Sequence, residues 1–224
     1  MLAKEPLAGR VKTRLTPPCT PDEAAALAEA ALVDTLAAGL ASSADRVVLG
    51  LDGAPGPWCP AAVEVVGQGD GNLPERLEAV WSRVDGPALQ VGMDTPQLTP
   101  ALVDEAFDRL TRSDTDAVLG LAEDGGWWAI GLRSPLPGCF SGIATSRPDT
   151  GERQLARLHD LGLRTAFLPI LRDVDRWADA LAVGASMPAS TFGAVVRTVT
   201  ARVGLSSVGR RPRRLPPPSL LPAR

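Results

Sequence analysis

Short apolar runs alternate with helical repeats over residues 47–111, and this constrains the fold more than any other feature of the chain. Val47 to Leu51 and Val63 to Val66 are apolar and end in turn signals, Asp52-Gly53 and Gly67-Gln68-Gly69-Asp70-Gly71. Leu73, Leu77, Val80, Trp81 and Val84 recur at helical spacing. Ala88 to Met93 is a further strand-like run ending at Asp94-Thr95-Pro96, and Thr99 precedes another helix over about Pro100 to Leu110. Upstream, Thr20 with Glu23 three residues later forms a capping box, Pro21 takes the first helical position, and the helix runs to about Ala41. Strands alternating with helices of about 10 to 20 residues predict an α/β fold, a mixed but mostly parallel sheet with helices on both faces.

Past Asp116 the rhythm changes. Ala117 to Gly120 and Trp127 to Leu132 are separated only by Leu121 to Gly126, too short for a crossover helix. An antiparallel excursion, or a strand bending across the sheet, follows, with its loop toward whatever binds there. Asp149 to Leu161 reads as a helix with Leu155, Leu158 and Leu161 inward, Thr165 to Leu168 as a strand, and Trp177 to Val183 and Ser190 to Val203 as closing helices. One domain is expected over residues 1–204, followed by a disordered Pro/Arg-rich tail over 205–224. Leu2 and Ala3 read as the end of a strand whose beginning is missing, as from a misassigned start, so a stunted first strand is expected.

Residues 205–224 carry five Arg and no acid, which leaves 18 basic and 26 acidic residues in the body, a net charge of −8. An acidic body argues against nucleic acid as the main partner. Cys19, Cys59 and Cys139 are odd in number and widely spaced, without a CxxC and with one His in the chain, which points to a reducing cytoplasm and no zinc site. No apolar run approaches the roughly 20 residues that span a bilayer, and no signal peptide is expected ahead of the domain. A cytoplasmic protein without membrane contact is expected.

Both lysines of the chain, Lys4 and Lys12, fall in the first fifteen residues, beside Gly9, Arg10 and Arg14. Ammonium groups suit a phosphate oxygen that moves during reaction, and guanidinium forks grip others, so this loop is a candidate polyphosphate cradle. A solvated basic terminus accounts for the charge equally well.

Open parallel sheets bind ligands beyond the carboxyl ends of their strands. Four polar clusters lie at such ends: the Lys/Arg loop, Asp94, Glu123-Asp124-Gly125-Gly126, and Asp173 with Asp175. Carboxylates converging on one crevice supply the oxygen ligands that Mg²⁺ or Mn²⁺ prefers, one or two of them sufficing when phosphates complete the shell. Metal and lysine together would neutralise charge on bridging and leaving oxygens. Each cluster also has a plainer role. Asp94 could simply bond backbone N–H groups in its turn, Asp173 or Asp175 could cap the following helix, and Asp124-Gly125-Gly126 could be an ordinary turn. Trp127 and Trp128 point to opposite faces of a strand, one into the core and one toward the crevice. His159 reads as a solvated or partly packed helical residue. Ser141, Thr145 and Ser146 lack a nearby His partner for triad chemistry, and Arg210 to Arg214 read as a solvated tail.

Ala-Lys-Glu-Pro-Leu-Ala-Gly-Arg-Val-Lys-Thr-Arg-Leu, Gly-Met-Asp-Thr-Pro-Gln-Leu-Thr-Pro, Glu-Asp-Gly-Gly-Trp-Trp-Ala-Ile-Gly and Asp-Val-Asp stand here in order. Together they resemble the bacterial glycosyltransferase-A-like family associated with radical-SAM or arsenosugar gene clusters. That family is related to 2-phospho-L-lactate guanylyltransferase and, more distantly, to molybdenum cofactor nucleotidyltransferases. The resemblance spans roughly residues 1–185 and implies a nucleotide-diphospho-sugar transferase (GT-A, Rossmann-like) fold. It also implies nucleotide phosphates on Lys12 and its neighbours (Lys4, Gly9, Arg10, Arg14), metal on Asp94 and Asp175 with Asp173 beside them, and a second substrate at Asp124, Gly125, Gly126 and Trp127. Lys12 and Asp94 are the expected catalytic residues. The implied reaction is either glycosyl transfer from a nucleotide sugar or nucleotidyl transfer from a nucleoside triphosphate to a phosphorylated small molecule. Two departures from the family pattern stand out, Arg176 where a Thr is usual and Gly69 to Leu77 in place of a shorter Gly-Asp-Leu-Gly segment. With the stunted strand, Arg176 supports the alternative of a nucleotide-binding protein without turnover.

Overall fold

The computed structural model describes residues 1–208. Its elements are β1 (Leu2–Lys4), a 3₁₀ turn (Thr13–Leu15), α1 (Pro21–Leu40), β2 (Val48–Asp52), β3 (Glu64–Gly67), α2 (Leu73–Trp81), β4 (Ala88–Val91), α3 (Pro100–Thr111), β5 (Ala117–Ala122), β6 (Trp127–Leu132), α4 (Thr150–Asp160), β7 (Thr165–Leu171), α5 (Trp177–Ser186) and α6 (Thr191–Val208). The boundary expected at residue 204 falls inside α6, and the rest of the expected tail, with Arg210 to Arg214, lies outside the described residues.

The α/β expectation holds, with one correction to the sheet. Hydrogen bonding divides it into a parallel three-stranded sheet, β1-β2-β3, and a four-stranded sheet, β4-β6-β5-β7. In the latter β6 runs antiparallel to both neighbours while β5 and β7 are parallel, so the short Leu121–Gly126 link does make an antiparallel excursion. The division falls at β1, whose three residues pair only with β2. The Met1 ammonium extends that ladder by donating to the Val48 carbonyl at 2.8 Å.

Burial on both faces follows from period-2 alternation. Ala3, Leu49 and Val118 pack with Leu32 and Leu36 of α1 and Val103 and Leu110 of α3. Their neighbours Leu2, Val48 and Leu119 pack on the other face with Leu77 and Trp81 of α2 and Leu158 of α4. A third cluster, including Leu15, Leu27, Ala180 and Phe192, joins the 3₁₀ turn to α1, α5 and α6. Each fully buried aliphatic side chain contributes roughly 1.5–3 kcal/mol of transfer free energy.

Helix starts follow local chemistry. Thr20 and Glu23 form the reciprocal capping box at α1, with Glu23 N–H donating to Thr20 Oγ1 at 3.2 Å and Thr20 N–H to Glu23 Oε2 at 2.8 Å. Asn72 and Glu75 do the same at α2, and Thr99 Oγ1 accepts from Leu102 N–H at α3. Asp173 and Asp175 cap nothing: Arg176 holds the position before α5, and its N–H donates to Asp179 Oδ2 at 2.8 Å. Both acids are thereby left for other work.

Candidate functional site

A cleft of about 890 Å³ opens along the boundary between the two sheets, with Lys4 of β1 on one wall and Gln90 of β4 on another. The loop from β1 to α1 turns into it. Gly9 has φ 76, Lys12 adopts the left-handed region with φ 48, and the 3₁₀ turn is anchored by the fully buried Leu15. Lys4, Arg10, Lys12 and Arg14 all line the cleft; Gly9 does not, and serves to bend the loop.

Asp94 lies just past β4, where Gly92 N–H carries the ladder on to the Trp128 carbonyl at 2.9 Å. The Asp94 carbonyl then accepts from Val174 N–H at 2.8 Å, and Gln97 Nε2 donates to the Arg172 carbonyl at 2.7 Å. These bonds tie the two acidic segments together. Val174 is buried, so alternation turns Asp173 and Asp175 toward the cleft, which both line together with Asp94.

Lys12 Nζ reaches Asp94 Oδ1 at 2.6 Å and donates to the Val174 carbonyl, with 7% of its side chain exposed. Arg14 Nη1 reaches Asp175 Oδ2 at 2.7 Å. Asp173 lies among carboxylates. Burial first, then Asp94 and Asp124, raise its pKa to about 7; Lys12 acts against that shift and Asp175 with it.

The turn between β5 and β6 forms the facing wall. Asp124 Oδ1 accepts from Gly126 N–H at 2.8 Å, and Gly125 has φ 88. A Cβ on Gly125 would stand 1.9 Å from the Pro148 carbonyl oxygen, and the Gly125 carbonyl accepts from Gly151 N–H at 2.8 Å. Asp124, Gly126 and Trp127 line the cleft; Gly125 packs behind it, against the segment before α4. The two tryptophans lie on opposite faces as alternation predicts, though both reach the cleft lining. Trp128 is buried with Nε1 donating to the Pro169 carbonyl at 3.0 Å, and Trp127 is half-buried, stacked on Phe140 at 6.1 Å between ring centroids. His159 is exposed on α4.

Several residues to which the sequence assigns no role line the cleft. Gln68, six per cent exposed, donates through Nε2 to the carbonyls of Ala3 at 2.6 Å and Gly50 at 2.9 Å, bridging β1 and β2 at the cleft wall. Arg76 of α2 bonds the Gly71 carbonyl and Asp52. Thr145, Ser146 and Arg147 also line the cleft, Ser146 with φ 60. They belong to the polar Thr-Ser-Arg-Pro run before α4.

The hard carboxylate oxygens of Asp94, Asp173 and Asp175 suit a divalent cation, and Asp173, its pKa raised first by burial and then by Asp94 and Asp124, sits among like charges. They do not form a ready-made chelate. Among the described residues no group of three or more His, Cys, Asp or Glu is arranged as a metal site, and Lys12 and Arg14 engage two of these three carboxylates. The three acids expected to hold metal share the cleft, and two of them are paired there with loop cations.

A structure from Desulfovibrio desulfuricans G20, described provisionally as a nucleotide-diphospho-sugar transferase, superposes with a TM-score of 0.79 at 26% identity over 91% of this chain and 95% of that one. The fold is therefore that of the nucleotide-diphospho-sugar transferases. The chain belongs to the bacterial family DUF2064, described as an uncharacterized protein conserved in bacteria, whose model matches residues 23–147. A homologue of Mycobacterium tuberculosis Rv0371c, from Mycobacterium sp. strain JC1, superposes with a TM-score of 0.50 at 18% identity over 88% of this chain and 96% of that one, a likeness of fold alone. Rv0371c of M. tuberculosis H37Rv, in complex with manganese, reaches 0.47 at 21% identity over 81% and 95%, too distant to bear on this chain. Among curated proteins no match is found.

Proposed function

We propose that this protein is a cytoplasmic, divalent-metal-dependent transferase that uses an activated nucleotide. Its favoured reaction is glycosyl transfer from a nucleoside-diphosphate sugar to a small acceptor, without nucleic acid or a membrane as partner. One observation carries the reading. A basic loop from the amino end and acids from two distant strand ends meet in one cleft, joined by the 2.6 Å pair of Lys12 with Asp94 and the 2.8 Å bond of Val174 with Asp94. The likeness to the D. desulfuricans protein supports the nucleotide sugar as donor. The three cysteines are free, in keeping with a reducing compartment, and among the described residues no helix is long and apolar enough to cross a membrane.

In this reading Lys4, Arg10, Lys12 and Arg14 bind the phosphates and stabilise the leaving diphosphate as the anomeric C–O bond breaks. Asp94, Asp173 and Asp175 would hold Mg²⁺ or Mn²⁺, which when bound supplies charge neutralisation at phosphate oxygens. Asp124, presented by its glycine turn, and Trp127, backed by Phe140, orient the acceptor whose oxygen forms the new bond.

Nucleotidyl transfer is the second reading. In it, a phosphorylated acceptor attacks the α-phosphate of a nucleoside triphosphate and pyrophosphate leaves. The cationic surplus of the cleft favours it, since Arg76 and Arg147 join the four loop cations against four carboxylates. Purified protein incubated with Mg²⁺ or Mn²⁺ and panels of nucleotide sugars and nucleoside triphosphates separates the two. Release of nucleoside diphosphate with transfer of the sugar to an acceptor supports the first, pyrophosphate release with a phosphorylated acceptor supports the second, and binding of nucleotides without turnover by either route refutes both.

A further inference from the structure

The cations that would receive phosphates are already occupied. Lys12 is held against Asp94 and the Val174 carbonyl with 7% of its side chain exposed, and Arg14 is held against Asp175. Both come from one short stretch, at the left-handed Lys12 and the 3₁₀ turn that follows it. Both carboxylates flank the same backbone bond, Val174 N–H to the Asp94 carbonyl. The loop thus straps the acidic segments with two protein cations.

We infer that Lys12 and Arg14 are built-in counter-ions of the cleft: without nucleotide they occupy the carboxylates a divalent cation would use, and an entering nucleotide draws them onto its phosphates. The inference rests on the nucleotide-dependent reading above and adds its regulation. A nucleotide entering alone would pull Lys12 from Asp94 and Arg14 from Asp175 and leave those two carboxylates without the cations that hold them. A cation entering alone would displace Lys12 and strand a buried ammonium. Removing the partner of the buried Lys12 is costly because it leaves an uncompensated ammonium, whereas the exposed Arg14–Asp175 pair opens at little cost. Only joint entry satisfies every group, since phosphates take the loop while the cation takes the acids. Metal and nucleotide therefore bind with positive coupling, and linkage makes that coupling reciprocal.

The test is a calorimetric titration of the whole folded protein with Mn²⁺, alone and with inorganic pyrophosphate, corrected for chelation in solution. Wild type is expected to bind Mn²⁺ about fivefold or more tightly once pyrophosphate is present, within the usual range of coupling between sites. Lys12→Met and Arg14→Ala are expected to bind Mn²⁺ alone more tightly than wild type by a similar factor and to lose most of the enhancement. Arg14, with 64% of its side chain exposed, provides the test independently of any folding defect in Lys12→Met. If wild type binds Mn²⁺ and pyrophosphate but both variants bind Mn²⁺ alone no more tightly, the strap is wrong and the cleft reading stands. If wild type binds neither ligand, both are overturned.

Discussion

An ionic bond between distant chain segments outside the cleft lies at Asp116, immediately before β5. Arg164 donates to its carboxylate through Nε at 2.7 Å, through Nη2 at 2.9 Å and through the backbone N–H at 3.1 Å. These hydrogen bonds hold Asp116 at about 2, below the ordinary carboxylate range. A depressed native pKa means stability fully present above the unfolded value near 4 and lost as pH falls through about 2. The expected outcome is that Asp116→Asn is less stable than wild type at pH 7, with the difference shrinking between about pH 4 and pH 2. Urea midpoints across that range check it, and a difference independent of pH would contradict it. The same kind of pairing at Lys12 and Asp94 escapes the sequence. Both residue types were visible at strand ends, but the partner of each depends on how the loop from β1 folds back.

At the scale of elements, what depends on near neighbours was legible. The Thr20 and Glu23 capping box, the bounds of β6 and the opposite faces taken by Trp127 and Trp128 follow from spacing and alternation. What depends on a distant partner was not. β7 runs on to Leu171 because β5 continues to pair with it past an irregularity at Gly120, and the four-stranded sheet separates from β1 because that strand is short. Gly125 belongs to the same class. Its sequence context says turn, whereas the Pro148 carbonyl packed behind it says that no side chain fits. Gly125→Ala is expected to cost about 2 kcal/mol or more, from a left-handed backbone and a clash with main chain. It should also weaken acceptor use by moving Asp124. A denaturant midpoint and an acceptor KM check both effects, and an unchanged midpoint would show that the turn has room to spare.

At the scale of the molecule, the cleft exists because the chain returns three times to one boundary. β1 delivers the basic loop there, β4 delivers Asp94, and the end of β7 delivers Asp173 and Asp175, with the Val174 and Gln97 bonds fixing the last two together. None of these segments is near another in sequence, so their meeting is a property of the fold and the central claim about function. It is tested most directly by anomalous diffraction from crystals grown with Mn²⁺ and a nucleoside diphosphate. The expected result is a manganese peak within coordination distance of at least one of Asp94, Asp173 and Asp175, with the diphosphate between it and Arg10, Lys12 or Arg14. A manganese peak or a diphosphate bound outside this cleft would contradict it.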